Sequence, residues 1–416
     1  MIKSPTHRRR DTRAQILDTA GEVFLREGFA RTSIDMIAST AHLSKQSIYE
    51  HFPNKLALFE AAVRRTLEEA DKNFSSVQTS ENVRDTLIAF GHRLFERYTH
   101  PASFGLFRAN IVAASQFPEL AAELHEYRLS LAGNLASYLD RLIHEGKLAP
   151  VDPAIISTRF GALTVEGSRY FLGAPLPSTE ERKTLVEAAT DLFLHGYQRH
   201  SQDAASARLS LLEMAAKPVP EGRVALRLAK EKWDALLTAA MNEFLEHGYV
   251  SANMERIAKT VRSSKATIYR QFGNKEGLFR YIVEQQIFAS SRATFEQPCK
   301  SDPLSEIAHL AQDVLEWHLE PHSIKLQRLL VQEAEMTPDL AQRFFDMRVA
   351  AVSRSLNRIL ARHDLPLPDI FAARAFYCLA THAVRFLTLN AFPDAGLREE
   401  RSRECALIFL DGIARQ

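Results

Sequence analysis

Between residues 13 and 27 the apolar positions fall at Ile16, Leu17, Ala20, Val23 and Phe24. That is the i, i+3, i+4 spacing of a helix with one buried face. Gly28 follows, where a helix end favours a residue tolerant of the left-handed conformation. Thr32 and Ser33 are N-cap types, and Ile34, Ile37, Ala38 and Ala41 behind them predict a short second helix that ends before His42 and Leu43. Ser44 predicts the cap of a third helix, through about Glu50, and Asn54 the cap of a long fourth. Later apolar-periodic segments, broken near Pro101, Pro118, Pro153 and Pro177, predict five more helices. Strand-like alternation is nearly absent, so the expected fold class is all-α.

The same pattern then returns. Residues 44–59, SKQSIYEHFPNKLALF, reappear at 264–279 as SKATIYRQFGNKEGLF. A shift of 220 sets residues 13–63 on 233–283 without a gap, with identities such as Phe24/Phe244, Gly28/Gly248, Ile37/Ile257, Lys45/Lys265 and Tyr49/Tyr269. The offset holds through Arg108/Arg328, Pro118/Pro338, Leu120/Leu340 and Arg128/Arg348, then becomes 216 for Arg169/Arg385, Phe193/Phe409 and Gly196/Gly412. A repeat of this length is a pair of domains rather than a solenoid. The boundaries expected are an arm and first head at 1–58, a first body at 59–200, a linker at 201–222, a second head at 223–278 and a second body at 279–416.

Two short helices joined by a three- or four-residue turn, the second capped by serine, form a helix-turn-helix. Leu43 and Ile48 would plug the angle between them, with Ala38 small enough for a close crossing. The outer side of the third helix then offers Lys45, Gln46, Ser47, Tyr49 and His51, the donors, acceptors and aromatic that base edges and phosphates require. In the second copy the same positions are Lys265, Ala266, Thr267, Tyr269, Arg270 and Gln271. The cap residues Thr32, Ser44, Asn253 and Ser264 are expected at the same surface. Lys55 and Lys275 open the fourth helices, where charge and free backbone N–H groups can hold a phosphate. A solvated polar face of an ordinary helical bundle is the alternative for each.

The stretches TSIDMIASTAHLSKQSIYEHFPNKLALF and NMERIAKTVRSSKATIYRQFGNKEGLF resemble the DNA-binding region of the tetracycline-repressor (TetR) family. Further on, LFRANIVAASQFPELAAELHEYR and QRLLVQEAEMTPDLAQRFFDMR resemble the ligand-binding part of some members. The resemblance implies bacterial regulators of about nine helices that bind palindromic operators as homodimers, with two recognition helices one helical turn apart. It therefore implies a dimer fused into one chain, whose partners are a double-stranded DNA operator and a small-molecule effector, and repression as its action. The sequence departs from the family in the turn, where His42 and Arg262 replace the usual Gly and Ser263 replaces the apolar residue kept as Leu43. Ala252-Asn253 also stands where the first copy has Thr32-Ser33. Both heads nonetheless stay basic: residues 3–55 carry 9 Lys/Arg against 6 Asp/Glu, and 223–275 carry 10 against 5. That balance favours two working heads.

The heads differ where bases would be read: Gln46 against Ala266, Glu50 against Arg270, His51 against Gln271. Gln46 can bond an adenine edge bidentately, whereas Ala266 can only touch a thymine methyl, so unequal half-sites are expected. The arm His7-Arg8-Arg9-Arg10 reads equally as a minor-groove contact or a solvated tail. Residues 153–173 with 179–199, and 369–391 with 396–414, are expected to form a four-helix interface between the halves through Phe160, Leu163, Phe193, Phe376, Leu379 and Phe409. Packing within each half is the alternative. Candidate effector-pocket residues are Phe104, Phe107, Arg108 and Asn110 in the first copy and Trp317, His318 and Arg328 in the second, against the plainer reading that they are core. Each arginine is expected either in an ion pair with a carboxylate or on an acidic ligand.

Composition changes little of this. With 416 residues, 46% hydrophobic and 25% charged, the chain reads as two or three soluble globular domains, and its net charge of +1 confines any nucleic-acid surface to a patch. No secretory signal and no unbroken apolar run of roughly 18–20 residues is seen, so a cytoplasmic protein that does not engage a membrane is expected. Cys299, Cys378 and Cys405 are few and scattered, and Pro321 separates His318 from His322, so neither disulfide nor metal is expected. No nucleophile elbow, P-loop or Gly-rich cofactor loop is present, so no enzyme activity or cofactor is expected. The alternative function is a helical sensor or protein-interaction module that no longer binds DNA. A pseudo-dimer of one chain is expected, with further pairing open.

Overall fold

A computed structural model of the chain describes residues 5–70, 79–130, 132–167, 169–197, 230–295, 302–334, 336–382, 385–389 and 392–413. The first repeat contains α1 (Pro5–Glu27), α2 (Ile34–Thr40), α3 (Lys45–Tyr49), α4 (Lys55–Ala70), α5 (Val83–Thr99), α6 (Pro101–Gln116), α7 (Pro118–Ser130), α8 (Gly133–His144), α9 (Pro153–Thr164) and α10 (Thr179–His195). The second contains α11 (Lys230–Ser251), α12 (Met254–Thr260), α13 (Lys265–Phe272), α14 (Lys275–Ser291), α15 (Pro303–Leu319), α16 (Pro321–Gln332), α17 (Pro338–Arg362), α18 (Ile370–Thr381), a 3-10 turn (Arg385–Thr388) and α19 (Ala395–Leu410). The fold is all-α, and there is no strand among the described residues. The linker expected at 201–222 and the side chains of His7, Arg8, Arg9 and Arg10 lie outside the described residues, although α1 carries the arm's backbone from Pro5 onward.

Where the repeats differ, a residue difference accounts for it. The single helix α17 replaces the pair α7 and α8, and Ser353 stands where the first copy has the weaker helix former Gly133 at the start of α8. The helices of the predicted interface end earlier than expected. α9 stops at Thr164 because Glu166 and Gly167 take φ of 45° and 64°, and α18 stops at His382, whose φ is 50°.

The halves meet through α9 and α10 of the first against α18 and α19 of the second, and again where α6 of the first touches the 3-10 turn and α16 of the second. Phe160, Leu163, Phe193, Phe376, Leu379 and Phe409 are all buried there. Tyr197 stacks on Phe409 with centroids 4.6 Å apart, while the Ile413 N–H donates to the Phe193 carbonyl and the Ala149 N–H to that of Ile413. Two buried ion pairs cross the seam: Arg159 with Glu404 at 3.1 Å, and Glu166 with Arg374 at 3.2 Å. None of the four has a like-charged counterpart in the other copy; Ala375, Ala188, His382 and Thr158 occupy the matching places. Two copies of either half would lack these pairs, so the interface is matched to its own partner half.

One stretch, Ile370–Thr388, has the length and mean apolarity to cross a membrane by composition, though Arg374 and Arg385 interrupt it. Burial explains it, since 80% of the window lies inside the protein.

Candidate nucleic-acid interface

Each head is a long helix and two short ones set on a fourth, with corresponding caps and turn bonds. In the first, the Ser44 hydroxyl accepts from the Ser47 N–H at 3.0 Å and the Asn54 side chain from the Ala57 N–H at 2.9 Å. In the second, Ser264 accepts from Thr267 at 3.1 Å and Asn274 from Gly277 at 2.8 Å. The turn between the second and third helices is closed by Leu43 N–H to Ala38 O and, in the other copy, Ser263 N–H to Ala258 O, both 2.9 Å. His42 and Arg262 sit in the left-handed region at φ 54° and 48°. These are the positions where the usual turn glycine is expected from the resemblance, and the backbone keeps the turn without it.

The recognition helices present their outer faces alike. Ser44, Lys45, Gln46 and Tyr49 are exposed and Ser47 and His51 half-buried; Ser264, Lys265, Ala266 and Arg270 are exposed, and Thr267, Tyr269 and Gln271 half-buried. Lys45 pairs with Asp35 at 3.1 Å and Lys265 with Glu255 at 3.8 Å, so the same cation lies across the same helix pair in both heads. Gln46 Nε2 donates to Glu50 at 3.3 Å, a bond Ala266 and Arg270 cannot copy. α13 spans eight residues against five in α3. Gly273, at φ 80°, ends α13, whereas Pro53 disfavours helical geometry at Phe52. Gly277 makes room for the longer helix, since a side chain there would overlap the Phe272 carbonyl.

Four expected contact residues are placed elsewhere or otherwise employed. Thr32 is buried, its hydroxyl donating to Gly28 O at 2.8 Å, and Ser33 is the true cap of α2. Asn253 is exposed but caps α12, accepting from Glu255 and Arg256 N–H. Lys275 turns inward: its Nζ donates to the Val250 and Ala252 carbonyls at 3.0 and 2.8 Å and lies 5.0 Å from the Tyr249 ring centre. Lys55 lies 4.4 Å from the Phe29 ring centre, and burial lowers the pKa of both lysines. Sequence reading also missed the clasp between α11 and α12, where buried Glu243 accepts from Arg256 and the Asn253 N–H. The first copy has Val23 and Met36 in those places, and that exchange of an apolar pair for a charged one was the available signal.

The heads are tied to the bodies mainly by packing. α4 runs against α7, with Arg64 paired to Glu123, and α14 runs along α17, with Arg280 paired to Asp339 and Arg343 to Glu284 at 3.5 Å. Gly105 on α6 lets the end of α1 approach so closely that a side chain would overlap Leu25. Between the heads lies an open cleft of about 450 Å³, which Arg108 and Arg328 line. The Arg328 guanidinium donates to the Leu387 and Leu389 carbonyls at 2.8 and 2.6 Å.

In the first body the expected pocket residues Phe104 and Phe107 are packed on an aromatic neighbour. Phe107 packs on Phe171 at 4.3 Å and Phe104 at 4.8 Å, beside a space of about 10 Å³, room for a single water. Asn110 is fully buried without a hydrogen-bond partner. In the second body Trp317 covers the guanidinium of Arg348, 3.4 Å from ring centre to carbon, and His318 is fully buried. No group of three or more metal-ligating side chains occurs among the described residues.

The family model for bacterial regulatory proteins of the tetR family matches residues 16–62 and again 236–282. The model for the C-terminal domain of AefR-like transcriptional repressors matches 85–199 and 305–411. Among curated proteins the chain is 27% identical over 194 residues to the HTH-type transcriptional regulator YvkB of Bacillus subtilis, covering 45% of this chain and 97% of that protein. It is 25% identical over 171 residues to the HTH-type transcriptional activator FasR of Mycolicibacterium smegmatis, covering 41% and 76%. The solved structure of the flavonoid-responsive regulator FrrA overlays 43% of this chain and 93% of its own, at 24% identity and a TM-score of 0.35.

Proposed function

The chain belongs to the TetR family of bacterial regulatory proteins, present twice over as a helix-turn-helix transcriptional regulator, and we propose that it acts in the cytoplasm as a single-chain pseudo-dimer binding one two-part operator. The observation that carries this reading is the set of caps and turn bonds shared by the two heads, joined to bodies that meet across a seam with ion pairs of their own. Neither head shows the lost caps or opened turns of a copy released from use. Lys45, Gln46, Ser47, Tyr49 and His51 face one half-site, and Lys265, Ala266, Thr267, Tyr269, Arg270 and Gln271 the other. Ser44 and Ser264 fix where each recognition helix begins. Half-sites one helical turn apart suit two heads on one frame, and their sequences differ because the side chains at 46/266, 50/270 and 51/271 differ. Effector control fits the same frame: a small molecule that binds one head spacing better than the other shifts the population of DNA-competent chains. Repression is the simplest output, because occupancy of a promoter needs no further partner.

In-vitro selection of random duplex DNA by the full chain, at two salt concentrations, tests this. An enriched site with two unequal halves about one turn apart, lost at high salt, is the expected result. A perfect palindrome would remove the base-reading roles of the three differing positions. Absence of any enrichment from folded protein would leave a sensor without DNA.

A further inference from the structure

Among the described residues, a fully buried arginine without a counter-charge bonded to it lies outside both heads. Arg348, on α17, is among the largest fully buried side chains, yet no carboxylate is within hydrogen-bond reach of it. Its Nε donates to the Tyr377 hydroxyl at 3.1 Å and one terminal nitrogen to the Ser323 hydroxyl at 3.0 Å. The other terminal nitrogen is buried and has no partner. Trp317 and Phe344 cover the guanidinium at 3.4 and 5.4 Å, leaving its edge as the side on which to bind. The acid that bears on it, Glu320, is an exposed helix-junction residue and makes no bond to it. His318 stands in the same field, fully buried, with both ring nitrogens unpartnered.

A buried guanidinium stays protonated, and a buried charge without a counter-charge costs several kcal/mol. Burying a neutral imidazole with neither nitrogen satisfied adds to that cost. Such a cluster is expensive unless something absent from the chain completes it. Its position is informative too. The small closed space of the first body is lined by Tyr98, Ser103, Phe107 and Leu124, and the offset of 220 carries these onto His318, Ser323, Gln327 and Phe344. The polar cluster of the second body therefore occupies the place where the first body is closed by aromatic and apolar side chains.

We infer that the second body binds a small organic monocarboxylate, its carboxylate on the unpartnered terminal nitrogen of Arg348 and its apolar part among Trp317, Phe344 and their neighbours. This rests on the reading that the bodies sense a small molecule, and it names the class. One guanidinium with neutral donors around it suits a single negative charge rather than a phosphate's two. Arg348, Ser323, Tyr377 and His318 come from α17, α16, α18 and α15, so the ligand joins four helices. α17 is the helix that runs along α14, which carries the second head. The acid thus acts on the second head through α17 and α14, and reaches the first through α16, which touches α6, the helix packed on α1.

Calorimetric titration of the full chain with phenylacetate and hexanoate, each against its amide, tests the class. At least one acid should bind while its amide does not, and Arg348→Met should weaken that acid about 10- to 100-fold. Binding of neither acid, equal binding of acid and amide, or full affinity in Arg348→Met would overturn it. Should Arg348→Met not fold, a Trp233→Phe chain leaves Trp317 as the sole tryptophan; its emission should change with the acid and not with the amide, and a silent or equal response refutes the site. DNA selection without any acid is scored separately. Loss of operator binding with the titration intact removes the regulator reading and keeps the carboxylate site; the reverse result removes only the site.

Discussion

Gly196 and Gly412 are repeat counterparts, and each closes against the other half's last helix. Gly196 ends α10 and lies on the Leu410 carbonyl of α19, while Gly412 follows α19 and lies on Leu194 of α10. Both have positive φ, 75° and 71°, and a Cβ at either would overlap backbone that cannot give way. Gly196→Ala should therefore cost about 2–4 kcal/mol in equilibrium unfolding, combining left-handed strain with a lost close approach. Gly28→Ala is the control, because Gly28 has φ 79° but open space around it, and should cost only about 1–2 kcal/mol. Equal costs at the two sites would mean that the seam tolerates a methyl group. The double variant Gly196→Ala with Gly412→Ala should cost less than the two singles together, since both loosen one contact.

The heads carry strain that the sequence advertises. His42 and Arg262 hold left-handed backbone at a turn where a glycine would sit without penalty. Replacing either by Gly relieves about 1–2 kcal/mol of local strain and returns part of it as entropy of the unfolded chain. A net gain of about 0.5–1 kcal/mol is expected at each, read from the denaturation midpoint. A loss of stability at His42→Gly would show that the imidazole makes a contact worth more than the strain.

The frame was legible because helix caps and apolar spacing are local. Ser44, Asn54, Ser264 and Asn274 all cap as their positions in the sequence suggest, and Phe160, Phe193, Phe376 and Phe409 meet at the seam. What was not legible depends on where long side chains go. Nothing in NKEGLF says that Lys275 folds back onto Val250 and Ala252, because those carbonyls are presented by a helix end 23 and 25 residues earlier. Thr32 and Ser33 both read as cap types; Ser33 takes the cap, and the Thr32 hydroxyl, expected at the surface, turns inward to Gly28 O. Arg348 showed itself in sequence only as the repeat partner of Arg128; burial of a cation among apolar residues leaves no periodic trace.

That distinction separates two kinds of lysine and arginine in the second head. Lys275 is held by two carbonyls and a ring, so Lys275→Met should lower stability by about 1–3 kcal/mol. It should leave the salt dependence of operator binding close to that of the parent. Arg270 is exposed on the recognition helix, and Arg270→Gln should leave stability within about 0.5 kcal/mol. If Arg270 meets a phosphate, the slope of log affinity against log salt falls by about 0.9. A reversed pattern, with the slope changed by Lys275→Met, would mean that Lys275 swings out to the DNA on binding.

His318 sets the last expectation, and its sign follows from burial. Desolvation, with the Arg348 charge second, lowers its pKa from 6.5 to about 3. In the unfolded chain the imidazole takes up a proton below about pH 6.5, whereas in the folded chain it remains neutral down to about pH 3. Across that window the unfolded state holds more protons, so stability falls as the pH is lowered and His318 stops contributing to the slope below about pH 3. Each pH unit inside the window is worth up to about 1.4 kcal/mol from this one residue. His318→Phe removes the titration while keeping an aromatic ring of similar shape. Denaturant titrations of both chains at pH 7 and pH 5 should show the parent losing about 2 kcal/mol more than the variant. Equal losses would place His318 in contact with water or a partner that lets it charge, and a bound carboxylate beside Arg348 would shift the parent's loss to lower or higher pH according to whether it accepts from the neutral or the protonated ring.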